Sequence, residues 1–176
     1  MMFVLRSTFA LVAALLALGS PGSVKADEQM SFVDAARAVM LSARYTALIT
    51  IDAESQPRAR VVDPFAPDED FVVWIATRPV TRKVEQIAAN PRATLYYWDA
   101  AQRSYVTLMG SATLVDDDEV KKAKRREEDN ERFYPDFPDD YLLIKFVPDY
   151  MEGLVPGYRG DAETWKPETH FFTGRD

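Results

Sequence analysis

The sequence predicts a mainly β domain of the α+β class, in which six antiparallel strands wrap into a wholly or partly closed barrel with short flanking helices. Three observations lead there. Six stretches rich in β-branched and aromatic residues are separated by polar or Pro-containing breaks. The helical stretches between them are short, and one sits alone between the third and fourth strands. A domain of this size must also cover its sheet edges, which barrel closure or pairing with a second copy would do.

Residues 1–26 stand apart as an expected export signal. Arg6 supplies a positive start, residues 7–19 (STFALVAALLALG) are almost wholly apolar, and Pro21-Gly22 breaks the run ahead of Val24-Lys25-Ala26. Cleavage is expected after Ala26, giving a periplasmic or secreted protein with no stable membrane anchor. The apolar run is short of the roughly 20 residues a span needs, and an uncleaved anchor is the alternative reading. No twin arginine is present, and the absence of cysteine excludes a lipid anchor on that residue. Residues 27–176 suffice for one domain with a proper core. The full chain carries a net charge of −7, and loss of Arg6 and Lys25 deepens it. Such an acidic surface argues against nucleic-acid binding and against docking on anionic lipid. With no cysteine and His170 as the one histidine, thiol chemistry is impossible and no metal site of the His/Cys type is expected.

Residues 31–43 form the first expected helix, capped by Ser31 with Asp34 three residues on, and Phe32, Ala35, Ala36, Val39 and Met40 recur at helical spacing. Strand one is expected at 45–51, followed by a hairpin through 52–56 into strand two at 58–63. There Arg58, Arg60 and Val62 share one face, Ala59 and Val61 the other. Pro64 and Pro67 end it. The near-continuous apolar run at 71–77 reads as a third strand buried on both faces. A helix follows at 81–89, capped by Thr81 and closed by Asn90-Pro91. Strands are expected at 93–98 and 104–115, with Gly110 permitting a bulge or a close approach. A charged helix is expected over 116–132, with Asp116, Asp117, Asp118 and Glu119 at its positive end. Strand six lies at 141–147, and the tail is irregular with short strand pieces. No internal repeat or linker is visible.

The chemistry concentrates at residues 77–83, Thr77-Arg78-Pro79-Val80-Thr81-Arg82-Lys83. A buried strand hands over to a helix through a tight turn, and free first-turn amides, the helix dipole, a hydroxyl and two adjacent cations make an anion site. Arginine offers a planar fork to phosphate and lysine a point charge. Arg60, mid-strand at an unusual place for a charge, could reach the same anion if strands two and three are neighbours. The bland alternatives are a solvated helix start and an edge-strand arginine.

Taken together, Gln56-Pro57-Arg58-Ala59-Arg60-Val61-Val62, the run from Trp74 to Lys83, the run from Gln86 through Asn90-Pro91 to Leu95, and the glycine strand from Tyr105 to Ala112 resemble the pyridoxamine 5′-phosphate oxidase family. The resemblance spans about residues 31–147 and favours the shorter general stress protein branch. It implies a Greek-key split barrel that binds FMN, dimeric, with flavin at the subunit interface. Carried over by position, Arg60 and the backbone of Val61 and Val62 would lie along the flavin and its phosphate. Thr77 would contact the ring system, and Thr81, Arg82 and Lys83 would hold the phosphate. Tyr105 stands where the family has a glutamine at the flavin. An ungapped match puts Ala123 and Glu127 where the oxidases hold the substrate phosphate, so vitamin B6 oxidation is not expected. The resemblance therefore points to an exported flavin-dependent oxidoreductase whose small-molecule substrate and electron donor are unspecified. A non-catalytic flavin or cofactor carrier, or a stress-related dimeric module, is the alternative, with deazaflavin or no cofactor in place of FMN and haem disfavoured by the single histidine. Trp98, in the run Tyr96-Tyr97-Trp98, could approach a flavin edge, although cross-strand packing is the plainer reading.

Overall fold

The structure is a computed structural model that describes residues 30–172. The expected signal, residues 1–26, lies outside these. Ten elements follow in chain order: α1 (Phe32–Ala43), β1 (Thr46–Ile51), β2 (Pro57–Val62), β3 (Val73–Thr77), α2 (Arg82–Ala89), β4 (Arg92–Asp99), β5 (Ser104–Val115), α3 (Asp118–Lys124), β6 (Leu142–Leu154) and β7 (Glu168–Phe171).

Ser31 caps α1 as its sequence suggests: its hydroxyl oxygen accepts from the Asp34 amide at 3.1 Å. The stripe of Phe32, Ala35, Ala36, Val39 and Met40 is buried against the sheet. The β1–β2 hairpin turns on Asp52, whose carboxylate accepts the amides of Glu54 and Gln56. Those amide bonds and Arg58 hold its pKa below the usual carboxylate value, the Gln56 amide most of all. Arg58, Arg60 and Val62 pair with Thr50, Leu48 and Thr46, which puts them on the core-facing side of β2.

The antiparallel sheet runs β2-β1-β4-β5-β6-β3, with β7 added on β6. It curls over one core in which Leu48, Ile75, Leu95, Leu108, Ile144 and Met151 are fully buried. The sheet does not close. Strands β2 and β3, its two ends, share no ladder; one isolated bridge between Pro64 and Ile75 joins the regions. This is the split barrel, and it corrects the idea that β2 and β3 lie side by side.

Three further differences have local causes. Helix α3 ends at Lys124 rather than 132, because Arg125 turns extended and its Nε donates to the Asp129 carbonyl at 2.9 Å. Strand β6 continues to Leu154 through Pro148, where the β5–β6 register shifts opposite Gly110. A Cβ on Gly110 would collide with the Val147 carbonyl, so the expected close approach is real. The tail supplies a seventh strand, β7. Strand β3 is covered on both sides, although it starts at Val73: Val73 and Ile75 face the main core, while Trp74 and Ala76 pack on a second cluster of Tyr134, Tyr141 and Leu143.

Candidate functional site

The site begins where β3 ends at buried Thr77 and the chain turns into α2. Thr81 occupies the position before α2 but does not cap it with its side chain. Its hydroxyl instead donates back to the Arg78 carbonyl at 3.0 Å and lies 3.3 Å from the Thr77 hydroxyl. The expected capping bond is therefore absent; the Val84 amide donates to the Thr81 carbonyl at 2.9 Å, which leaves the amides of Arg82 and Lys83 for an outside acceptor.

Arg60 crosses from β2 to this helix. Its guanidinium donates to the Leu48 carbonyl (3.1 Å), Thr50 Oγ1 (2.6 Å) and Gln86 Oε1 (2.7 Å). All three acceptors are neutral. Burial, then the charge of Arg82, lowers its pKa from the ordinary arginine value. Burial, then Arg60, likewise lowers that of Lys83. Among the described residues no carboxylate forms an ion pair with Arg60, Arg82 or Lys83. Three mutually repelling cations without an internal counter-charge leave an electrostatic deficit that a bound anion would relieve.

A cavity of about 390 Å³ opens beside them, in the gap where the barrel fails to close. Val61 and Val62 of β2 form one rim, Ala76 and Thr77 of β3 the other, and Thr81 and Lys83 stand at one end. Arg82, by contrast, is exposed and lines a neighbouring hollow with Asp52, Arg58 and Glu85. The trio thus surrounds the start of α2 from two flanks rather than pointing at one spot.

The remaining wall is the segment after α3, which the sequence had suggested was helix. Arg126 donates through Nε and Nη2 to the Asp129 carboxylate at 3.1 and 3.0 Å, and its guanidinium lies 4.2 Å over the Phe65 ring. It also reaches the Asp63 carboxylate at 3.8 Å. Buried Asp129 accepts from the Tyr141 hydroxyl at 3.0 Å as well. This network ties the end of β2 to the loop and holds Glu128, Phe133 and Tyr134 on the cavity. No linear spacing announces the whole of it, since its members come from three separate segments, 63–65, 126–129 and Tyr141.

A family model described as pyridoxamine 5′-phosphate oxidase matches residues 32–152. The chain belongs to this family. Solved structures similar to it include General Stress Protein 26 from Bacillus anthracis, at 22% identity and TM-score 0.60, covering 77% of this chain and 95% of that one. A pyridoxamine 5′-phosphate oxidase-related, FMN-binding protein from Nostoc punctiforme matches at 15% identity and TM-score 0.55, over 79% and 92%. A haem-binding protein from Mycobacterium smegmatis matches at 17% identity and TM-score 0.61, over 81% and 59%. At such identities these likenesses speak for the oxidase-family fold alone.

Within this family member, Tyr105 does not line the cavity. It sits on β5 between Trp98 and Leu154, on the outward face of the sheet, with its ring stacked 5.6 Å from that of Tyr96. Trp98 occupies the same face and is half exposed. Ala123 and Glu127 are exposed and also absent from the lining; the acids that border the cavity are Asp63, Glu128 and Asp129. His170 packs edge-on against Phe172 in β7, away from all of this.

Proposed function

We propose that the protein is an exported, homodimeric FMN-binding oxidoreductase that works on a small molecule. The observation that carries the cofactor assignment is the trio Arg60, Arg82 and Lys83, lacking any carboxylate partner among the described residues, at the open start of α2 beside a cavity of about 390 Å³. The donor set fits a phosphate monoester, and the volume is that of a pocket for a cofactor-sized molecule. Lys83, Arg82 and the first-turn amides would hold the phosphate, with the Thr81 hydroxyl beside it. Arg60, braced by Thr50 and Gln86, would supply a fixed positive charge behind it. Thr77 and the backbone of Val61 and Val62 would border the ring system. The flavin would carry the electrons, so the protein need only orient it and exclude water.

The outward sheet face supports the dimer. Cross-strand register sets Val61 beside Ala47 and Ala47 beside Tyr96; it also sets Trp98 beside Tyr105 and Leu154, and Met109 beside Tyr150 and Phe171. Val61 is 73% exposed and Phe171 66%, an apolar expanse that a soluble monomer rarely leaves bare. A second copy seated there would place Tyr105 at a subunit interface, which is how a residue outside its own chain's cavity could still meet a flavin.

The test is a visible spectrum of purified protein with FMN, then with reductant, then in air. A bound yellow chromophore that bleaches and returns supports the oxidoreductase. Binding without turnover of any reductant supports the second reading, a flavin carrier, which the absence of a twin arginine favours because the chain would cross the membrane unfolded. Free FMN fluorescence unquenched by excess protein would overturn both. Export is tested separately, by an N-terminus at Asp27 in protein recovered outside the cytoplasm.

A further inference from the structure

We infer that a recess between the end of α1 and the segment after β2 is a second binding site, separate from the gap in the barrel, for a small monocarboxylate whose body is one ring or a short chain. The recess has a volume of about 170 Å³ and shares no lining residue with the cavity in the gap. Met40 of α1 and Pro64, Phe65 and Pro67 give it apolar walls, Tyr97 of β4 lines it, and Arg44 is its one charged lining residue. The walls are held from behind. Arg37 donates to the carbonyls of Pro67, Asp68 and Glu69 at 3.0, 2.7 and 3.0 Å, and the Arg126 guanidinium lies over the Phe65 ring. Apolar cavities of roughly 150 Å³ accept a molecule the size of benzene, so this one admits a single ring.

The observation that calls for a ligand is Tyr97. It is 1% exposed, and its hydroxyl has no hydrogen-bond partner among the described residues; nor has that of Thr46, 2% exposed and paired with it across the β1–β4 ladder. Buried hydroxyls are nearly always satisfied. Two facing hydroxyls can spend only one of their two protons on each other, so a Thr46–Tyr97 contact would still leave one proton without an acceptor. Burial pushes the Tyr97 pKa up, with the Thr46 hydroxyl offsetting part of this, so the phenol keeps its proton and can donate at neutral pH. No carboxylate lines the recess to receive it. The charge of the missing acceptor follows from Arg44, which makes no ion pair among the described residues. Arg44 is the centre of a γ-turn at φ 58° and ψ −56°, closed by the Tyr45 amide on the Ala43 carbonyl at 2.6 Å, a strained conformation that persists only where its surroundings hold it. A carboxylate would accept from the Tyr97 hydroxyl, share the recess with the Arg44 charge and leave its apolar body against Met40, Phe65 and the prolines. An ammonium would meet a like charge.

Calorimetry of the purified protein with benzoate and benzylamine, matched in size and opposite in charge, tests the site. Benzoate is expected to bind about tenfold or more tightly than benzylamine, the worth of one charge-assisted contact. Tyr97→Phe and Arg44→Met should each remove most of that preference, whereas Lys83→Met, in the gap cavity, should leave it intact. Tyr97→Phe should also melt no lower than wild type, because it removes an unpaired buried group. No benzoate binding, an equal or inverted preference, a preference that survives either substitution, or its loss in Lys83→Met overturns the site. A lower melting temperature for Tyr97→Phe would give the hydroxyl an internal partner, and overturns it equally.

Discussion

Lys83 offers the sharpest test of the cofactor site, because the ligand-free structure gives it nothing to lose. It makes no hydrogen bond or ion pair among the described residues, it is half-buried, and burial and then Arg60 lower its pKa from the ordinary 10.5. Lys83→Met keeps the aliphatic stem and removes only the charge, so thermal stability should hold or rise. FMN affinity should fall by the worth of one charge-assisted hydrogen bond, about 1.5–3 kcal/mol, or roughly 10- to 150-fold in Kd. The proton linkage has a defined sign. With the folded pKa below the unfolded one, the unfolded chain holds more protons in the interval between them, so stability of the free protein rises with pH there. A phosphate bound beside Lys83 favours its charged form, so FMN affinity should instead fall as pH climbs through the depressed value. Fluorescence-quenching titrations between neutral pH and pH 10, for wild type and variant, read both effects alongside thermal melts. A variant that stays folded and binds FMN with unchanged Kd and unchanged pH slope would refute the assignment.

Other perturbations probe the frame around the site. Arg126→Ala strips two bonds from buried Asp129 and leaves it only Tyr141 and local amides. Discounted for the partial exposure of the arginine, the loss should be about 2–3 kcal/mol in denaturant unfolding, and Arg126→Ala with Asp129→Ala should cost less than the sum of the singles. Gly110→Ala forces a methyl onto the Val147 carbonyl, and about 1–3 kcal/mol of destabilisation is expected from the same measurement. Trp98→Asp puts a charge in the middle of the outward apolar face, so sedimentation should shift from the proposed dimer toward monomer with the chain still folded, and wild-type protein that sediments as a monomer would refute that dimer.

Much of this architecture was legible in the chain because local rules agreed with the fold. Ser31 with Asp34, the alternating inward residues of β2, and the strand-to-helix handover at Thr77 each follow from short-range geometry. The misreadings occur where distant contacts override local preference. Residues 125–132 carry helix-forming charges, but Arg126 gains more from Asp129, Asp63 and the Phe65 ring than from another helical turn. Thr81 has the residue type of a cap, yet its hydroxyl turns to Arg78 and Thr77. Arg60 stood out as a charge in mid-strand, and a β2–β3 pairing was the expected route toward Arg82 and Lys83. It reaches Gln86 across β1, not through a β2–β3 pairing. The acidic wall was beyond reach, since Asp63, Glu128 and Tyr134 meet only after the sheet has curled.

The rims of the hollow belong to the first and last strands of a six-strand path. Their separation is therefore the accumulated result of every twist between neighbours along that path, from β1 through β6. A fraction of a degree altered at each ladder sums into a change of width at the gap. Repacking at Leu95 or Leu108, neither of which lines the hollow, should thus register as altered ligand fit before it registers as loss of structure. The gap acts as a gauge of the whole sheet's curvature.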